Sequence, residues 1–236
     1  MKIRNIIFWG HLIVGMTVGI FILIMATTGA MLAFRPQIIA FAEQGMKNTA
    51  EISSKDPSQA RVLMKKIESW HRWFGVDGPL KPIAHNIKTV CNLAFLFMVL
   101  SGFYLWWPRK IIRFKSGLSG KAQDWNRHNT IGFWCAPFLI IISLTGVIMS
   151  FQKPLPKPQA KIEMANVEMA KPAPLSAQDP ERKFRKLVRS IHTGEAGGLI
   201  GQIFAFLAAC GAIILVWTGF GMARRRFFAA SIKLNK

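Results

Sequence analysis

The 236-residue sequence predicts an all-α integral membrane fold, a four-transmembrane-helix bundle made from two parallel repeats, with short amphipathic periplasmic helices between the spans. Three observations carry this reading: four long uncharged stretches, an internal repeat, and the placement of the basic residues. The stretches 12–34, 89–107, 130–152 and 196–223 contain no Asp, Glu, Lys or Arg over about the length that crosses a bilayer core. They place the spans at about 12–34, 87–107, 130–152 and 199–222 of a single membrane domain, 1–236. A hydrophobic content of 51% agrees. The first span follows Lys2 and Arg4 and has the alternative of a secretory signal, but it is long for an apolar signal core and recurs later in the chain.

The repeat sets the architecture. Sliding the chain by the 117 residues that separate His11 from His128 also aligns Gly15 with Gly132, Phe21 with Phe138, Thr28 with Thr145, Gly29 with Gly146 and Phe34 with Phe151. The same shift pairs Gly102 with Gly219, Phe103 with Phe220 and Arg109 with Arg226, giving repeat one at 1–110 and repeat two at 118–227. Each unit crosses the membrane twice, so both copies share one orientation and a pseudo-two-fold axis along the membrane normal is expected.

The net charge of +20 has a topological reading rather than a nucleic-acid one. The connection 108–127 holds Arg109, Lys110, Arg113, Lys115, Lys121 and Arg127 against Asp124 alone, and the tail holds Arg224, Arg225, Arg226, Lys233 and Lys236 without an acid. Those sides are expected to be cytoplasmic, with both termini, in a bacterial inner membrane. The longer connections 35–84 and 153–195, with five acids each, then face the periplasm. Each has an Asp-Pro helix start, Asp56-Pro57 and Asp179-Pro180, and each predicted helix runs to a histidine. Leu63, Ile67, Trp70 and Phe74 form the apolar face of the first, and Phe184, Leu187, Val188 and Ile191 that of the second. The stretch 154–174 reads as a Pro/Ala-rich connector. Cys91, Cys135 and Cys210 fall inside spans, where a thiol acts as a small hydrophobe and no disulfide is expected.

Four of the five histidines form two matched pairs: His11 with His128 at the cytoplasmic level, and His71 with His192 at the periplasmic level. A single interfacial histidine is ordinarily just a polar residue, but imidazoles facing across a two-fold axis are suited to axial ligation of haem iron. Two bis-histidine haem b groups are expected, held non-covalently because no Cys-x-x-Cys-His string occurs. Zinc or copper is the competing metal, and would draw together about three or four N, S or carboxylate ligands. His85 aligns with Gln202 and stands as an interfacial residue or a substitute ligand. Arg72 and Arg189 on one side, and Arg4 and Arg127 on the other, are candidates for pairing with haem propionates. Trp106, Trp107 and Trp217 read as an interfacial aromatic belt, and Gly15 with Gly19 as a close helix contact. Histidines at the extreme ends of straight spans would lie about 30 Å apart. The amphipathic helices are therefore expected to bend inward at Gly75, Gly78, Gly194, Gly197 and Gly198, so that His71 and His192 face each other.

The strings Trp70-His71-Arg72-Trp73-Phe74, Ser101-Gly102-Phe103-Tyr104-Leu105-Trp106-Trp107-Pro108-Arg109, His128-Asn129-Thr130-Ile131-Gly132-Phe133-Trp134, His192-Thr193-Gly194 and Thr218-Gly219 resemble the PepSY-associated transmembrane family over all four spans. The resemblance implies a haem b protein of the kind that reduces ferric-siderophore at the inner membrane. Many relatives carry PepSY domains in the long loops; here the loops are short, as in a minimal member, and Asn126-Arg127 stands where relatives more often have Trp before the histidine. The expected function is electron transfer to a periplasmic ferric-siderophore. No GxGxxG string is present, so electrons would come from a separate cytoplasmic reductase or a quinol. The alternatives are a cytochrome b subunit serving another periplasmic acceptor, and a haem-free transporter or assembly factor.

Overall fold

The structure, a computed structural model, describes residues 2–47, 58–107, 112–152 and 180–234. Among these described residues seven α-helices follow in chain order: α1 (Ile3–Ala33), α2 (Arg35–Lys47), α3 (Gln59–Trp73), α4 (Lys81–Trp106), α5 (Gly120–Phe151), α6 (Pro180–Thr193) and α7 (Gly198–Leu234), with one-turn 3-10 helices at Gly78–Leu80 and Glu195–Gly197. No strand occurs among the described residues. Four helical segments are long and apolar enough to cross a bilayer: Ile3–Ala33, Gly78–Trp106, Gly120–Phe151 and Glu195–Phe227. The protein is a multi-pass, all-α membrane bundle.

The four spans close into a ring in which α1 and α5 each pack against both α4 and α7. Exchanging α1 with α5 and α4 with α7 maps the ring onto itself, and the amphipathic helices obey the same exchange, with α3 lying on α1 and α6 on α5. Since lipid offers apolar groups as good a solvent as the interior does, membrane helices associate by close van der Waals fit, for which small residues are suited. Ala208 and Ala212 of α7 pack with Leu139 of α5 at the centre, and Gly19 of α1 receives the Phe220 ring of α7. Gly15 receives the Met98 side chain of α4, so the predicted glycine contact uses two different partner helices. Ile13, Ile20, Leu207 and Trp217 face outward, as lipid contact requires.

The basic ends gather on one face. Arg226 of α7 lies 4.9 Å over the Phe8 and Trp9 rings of α1, Arg225 pairs with Asp124 of α5 at 2.9 Å, and Arg4 donates to the Leu105 carbonyl at the end of α4 at 3.0 Å. Such a cation compensates the unpaired carbonyls of a helix C-terminus. Residues 112–119 are held by α5: the Asn126 side chain accepts from the Lys115 N–H and donates to the Arg113 carbonyl, and the Trp134 indole donates to the Ile112 carbonyl. Asn126 thus pins this connection.

At the opposite face the structure corrects several expectations. Helix α2 was not anticipated; it continues α1 beyond Phe34 and is tied to α3 by the Arg35–Glu68 ion pair at 2.5 Å. The cap expected of Asp56 is supplied by Ser58, which accepts from the Arg61 N–H, while Asp56-Pro57, Asp179 and 154–174 lie outside the described residues. The described part of α6 spans Pro180–Thr193. The bundle-facing stripe of α3 is Met64, Ile67 and His71, whereas Leu63 and Trp70 are exposed; in α6 Val188 is buried while Phe184 and Leu187 are exposed. Both helices therefore dock with a narrow stripe and leave apolar side chains outward, an arrangement suited to the membrane interface.

The turns need glycine. Gly75, Gly78, Gly194 and Gly198 have positive φ, of 73°, 72°, 80° and 59°. Gly194 also crosses Gly201 of α7 so closely that a Cβ on Gly201 would lie 2.2 Å from the Gly194 carbonyl oxygen. Gly201→Ala is expected to destabilise the protein by about 1–3 kcal/mol, as overpacking does. The measurement is the thermal midpoint in detergent, which Gly197→Ala, with open space around its Cβ, should leave unchanged.

Candidate functional site

His11 lies two turns into α1 and His128 two turns into α5, which brings their rings to 6.4 Å between centroids, nearly perpendicular at 87°. Each is bonded to a hydroxyl of its own repeat: His11 Nδ1 is 2.8 Å from Ser101 Oγ of α4, and His128 Nδ1 is 2.9 Å from Thr218 Oγ1 of α7. Around this pair a cavity of about 700 Å³ opens between the spans, a volume typical of sites for small molecules and cofactors. Repeat mates line it symmetrically, Gly15 with Gly132 and Phe8 with Trp125, and Lys2, Arg4, Lys121 and Arg226 bring positive charge to its basic end. Arg4 and Lys121 are themselves mates under the 117-residue shift.

The second pair comes from outside the spans. His71, in the last turn of α3, and His192, in the last turn of α6, also lie 6.4 Å apart between centroids, with their rings inclined at 55°. His71 Nδ1 is 3.0 Å from Thr28 Oγ1 and 3.0 Å from the Met25 carbonyl; His192 Nδ1 has the same distances to Thr145 Oγ1 and the Ile142 carbonyl. Desolvation by the surrounding helices pushes both histidines down to about 4, so both are neutral at physiological pH, the form in which imidazole ligates a metal. His71 contacts α1 at Met25 and Thr28, 14 and 17 residues beyond His11. The two levels are therefore roughly 21–26 Å apart along the helix axis, less than the 30 Å of histidines at the extreme ends.

Other sequence candidates lie elsewhere. Arg127 is exposed and does not line the cavity, because consecutive residues of a helix point about 100° apart and His128 takes the inward position. Arg72 bonds Glu68 at 3.1 Å and covers Trp73, and Arg189 is exposed. His85 packs against Trp73, with ring centroids 5.9 Å apart. Trp106, expected in the aromatic belt, is instead buried, stacked 4.5 Å from Phe133, and lines the cavity; Trp107 is exposed. The three cysteines are free, and no group of three or more His, Cys, Asp or Glu gathers for a metal among the described residues. Two features escaped the sequence reading. Lys88 lies half-buried with its Nζ 5.2 Å over Trp73, near His71. The hydroxyls that hold the histidines sit in Ser/Thr-Gly dipeptides, visible in the repeat but not connected there to imidazoles.

The model of the PepSY-associated TM region family matches residues 8–68 and 47–226. The chain belongs to this family. No curated protein and no solved structure matches it. All four paired histidines of this PepSY-associated protein fall within the matched residues.

The depressed histidines set a pH dependence. In the unfolded chain an imidazole takes up its proton near pH 6.5, whereas folded His71 and His192 take it up near 4, so the unfolded state binds more protons between those values. Stability of the ligand-free protein is expected to fall as pH drops from above 6.5 toward 4. A thermal midpoint followed from pH 7.5 to 4.5 should decline over this window, less steeply in a His71→Gln, His192→Gln variant.

Proposed function

We propose that this chain is a membrane cytochrome b that holds two haem b groups, one between His11 and His128 and one between His71 and His192, and carries electrons across the bilayer to an acceptor on the α3/α6 side. The observation that carries the reading is the facing of both histidine pairs at 6.4 Å. Two metal–nitrogen bonds of about 2 Å, added to the distance of about 1.1 Å from each ligating nitrogen to its ring centre, place the centroids of two imidazoles on one metal about 6 Å apart.

The donor chemistry fits the group. Two imidazoles complete an iron whose other ligands the porphyrin supplies, whereas a structural zinc would use about four protein ligands. At the first level, Gly15 and Gly132 line the cavity between the spans, and the cations Lys2, Arg4, Lys121 and Arg226 suit propionates as charge-assisted partners. At the second level Lys88 on Trp73 offers a similar partner. When bound, haem supplies one-electron transfer. The protein ligates, orients and desolvates, and thereby sets the potential. Ferric-siderophore is the acceptor we assign: each electron converts one Fe(III) to Fe(II), supplied from a quinol or a reductase at the basic face. The face with Arg4, Lys121 and Arg226 is assigned to the cytoplasm, both termini with it, in a bacterial inner membrane.

Purified protein should show two haem b per chain in a pyridine haemochrome assay. His11→Ala or His128→Ala should leave one, and His71→Ala or His192→Ala should leave the other. Protein free of haem after expression with adequate haem supply would overturn the reading in favour of a haem-free transporter. Reduced protein that is reoxidised by another periplasmic acceptor, and not by ferric-siderophores, would retain the cytochrome and replace its substrate.

A further inference from the structure

Each span of this protein carries one Ser/Thr-Gly dipeptide facing one of the paired histidines: Thr28-Gly29 of α1 meets His71, Ser101-Gly102 of α4 meets His11, Thr145-Gly146 of α5 meets His192, and Thr218-Gly219 of α7 meets His128. In every case the hydroxyl lies 2.8–3.0 Å from Nδ1. In every case the glycine lies against the ring edge: a Cβ there would come 3.2, 3.3, 3.4 and 3.7 Å from Cε1 of His71, His11, His192 and His128. We propose that these four dipeptides are positioning seats that hold each imidazole as the Nδ1–H tautomer, leaving Nε2 as its one ligating atom.

The hydrogen-bond bookkeeping assigns the tautomer. A serine or threonine hydroxyl has one proton, and here its own helix takes it: Thr28 donates to the Ile24 carbonyl at 2.7 Å, Thr145 to Ile141 at 2.7 Å, Thr218 to Ile214 at 2.8 Å and Ser101 to Met98 at 3.2 Å. The oxygen left facing the imidazole can only accept. The carbonyls of Met25 and Ile142, which also lie 3.0 Å from Nδ1 of His71 and His192, are pure acceptors. Nδ1 therefore carries the proton, and the free lone pair is on Nε2. A hydrogen bond on the far nitrogen makes an imidazole a better donor to a metal and fixes its plane. Glycine supplies what the hydroxyl cannot, a flat approach: a methyl group at 29 or 102 would press on the ring.

The spectral part of this inference rests on the haem reading, while the tautomer does not. The test uses full-length protein in lipid nanodiscs with ¹⁵N-labelled histidine, comparing wild type with Ser101→Ala and Thr218→Val and with the hydroxyl-retaining Ser101→Thr and Thr218→Ser. In haem-loaded protein, removing either hydroxyl should weaken retention of the haem at that level about 10- to 100-fold. Loss of the hydrogen bond also makes the iron electron-poorer, so the midpoint potential of that haem should rise. The other haem keeps its potential, and the hydroxyl-retaining variants restore the first. Folded Ser101→Ala and Thr218→Val proteins with unchanged retention and potential would overturn the seat. If wild type carries no haem, the haem reading fails and the ¹⁵N spectrum decides the seat alone: Nδ1–H at all four histidines sustains it, and Nε2–H or imidazolium at any of them at pH 7.5 overturns it.

Discussion

An imidazole carried into a bilayer-spanning bundle leaves water behind, and its polar nitrogens must then find partners within the protein. Everything distinctive in this bundle follows from how that requirement is met. Each of four histidines is bonded by a span of its own repeat: His11 by α4 and His71 by α1 in the first, His128 by α7 and His192 by α5 in the second. The ring-to-ring contacts, by contrast, cross between repeats. Each repeat thus presents two half-sites already oriented by its own hydrogen bonds, and the pseudo-two-fold axis brings matching halves together. An arrangement of this kind separates two tasks, with local polar satisfaction completed inside a repeat and only shape left to the interface.

Shape at that interface is governed by side-chain size. Gly19 admits the Phe220 ring, Gly211 admits Cys135, and the buried alanines of α7 allow close approach to α5. Near His11 and His128 the spans hold glycine at 15 and 132, and between them lies the cavity. Close packing and cavity lining therefore draw on the same residue type, and at Gly15 and Gly19 on the same residues, which receive Met98 and Phe220 while lining the cavity.

The spans and the His11–His128 pair were legible because they depend on composition and on a regular shift, both one-dimensional properties, and the His71–His192 pair because each of these histidines ends an amphipathic helix that follows an Asp-Pro start. Which helix face a residue occupies was less so. Trp106 and Trp107 differ by one position and by about 100° of rotation, enough to bury one in the bundle and expose the other. The same rotation removes Arg127 from the cavity and gives Arg4 and Lys121 its basic end. Leu63 and Trp70 outweigh Met64 in hydrophobic appearance, yet the stripe continuing to His71 is the one that docks. Thr28, Gly29, Thr145, Gly146, Gly102 and Gly219 all stood in the repeat alignment, but their purpose needs a partner 43 to 90 residues away, a distance over which a single sequence has no periodicity to read. Helix α2 was missed because Arg35 and Pro36 open it, and both resemble the end of a span.

The second histidine level departs from the repeat in one informative way. His71 and His192 are 121 residues apart, whereas the residues that hold them, Thr28 with Thr145 and Met25 with Ile142, keep the common 117-residue shift. The connecting segments therefore differ in length between repeats without moving either imidazole, since both rings reach equivalent positions on α1 and α5 with equal bond distances. Position is dictated by the docking surface on the span rather than by the chain leading to it. The consequence reaches the proposed electron path: the depth of the second level is set by Met25 and Thr28 on α1 and their mates on α5, so loops above it can shorten or lengthen while the separation from His11 and His128 stays the same.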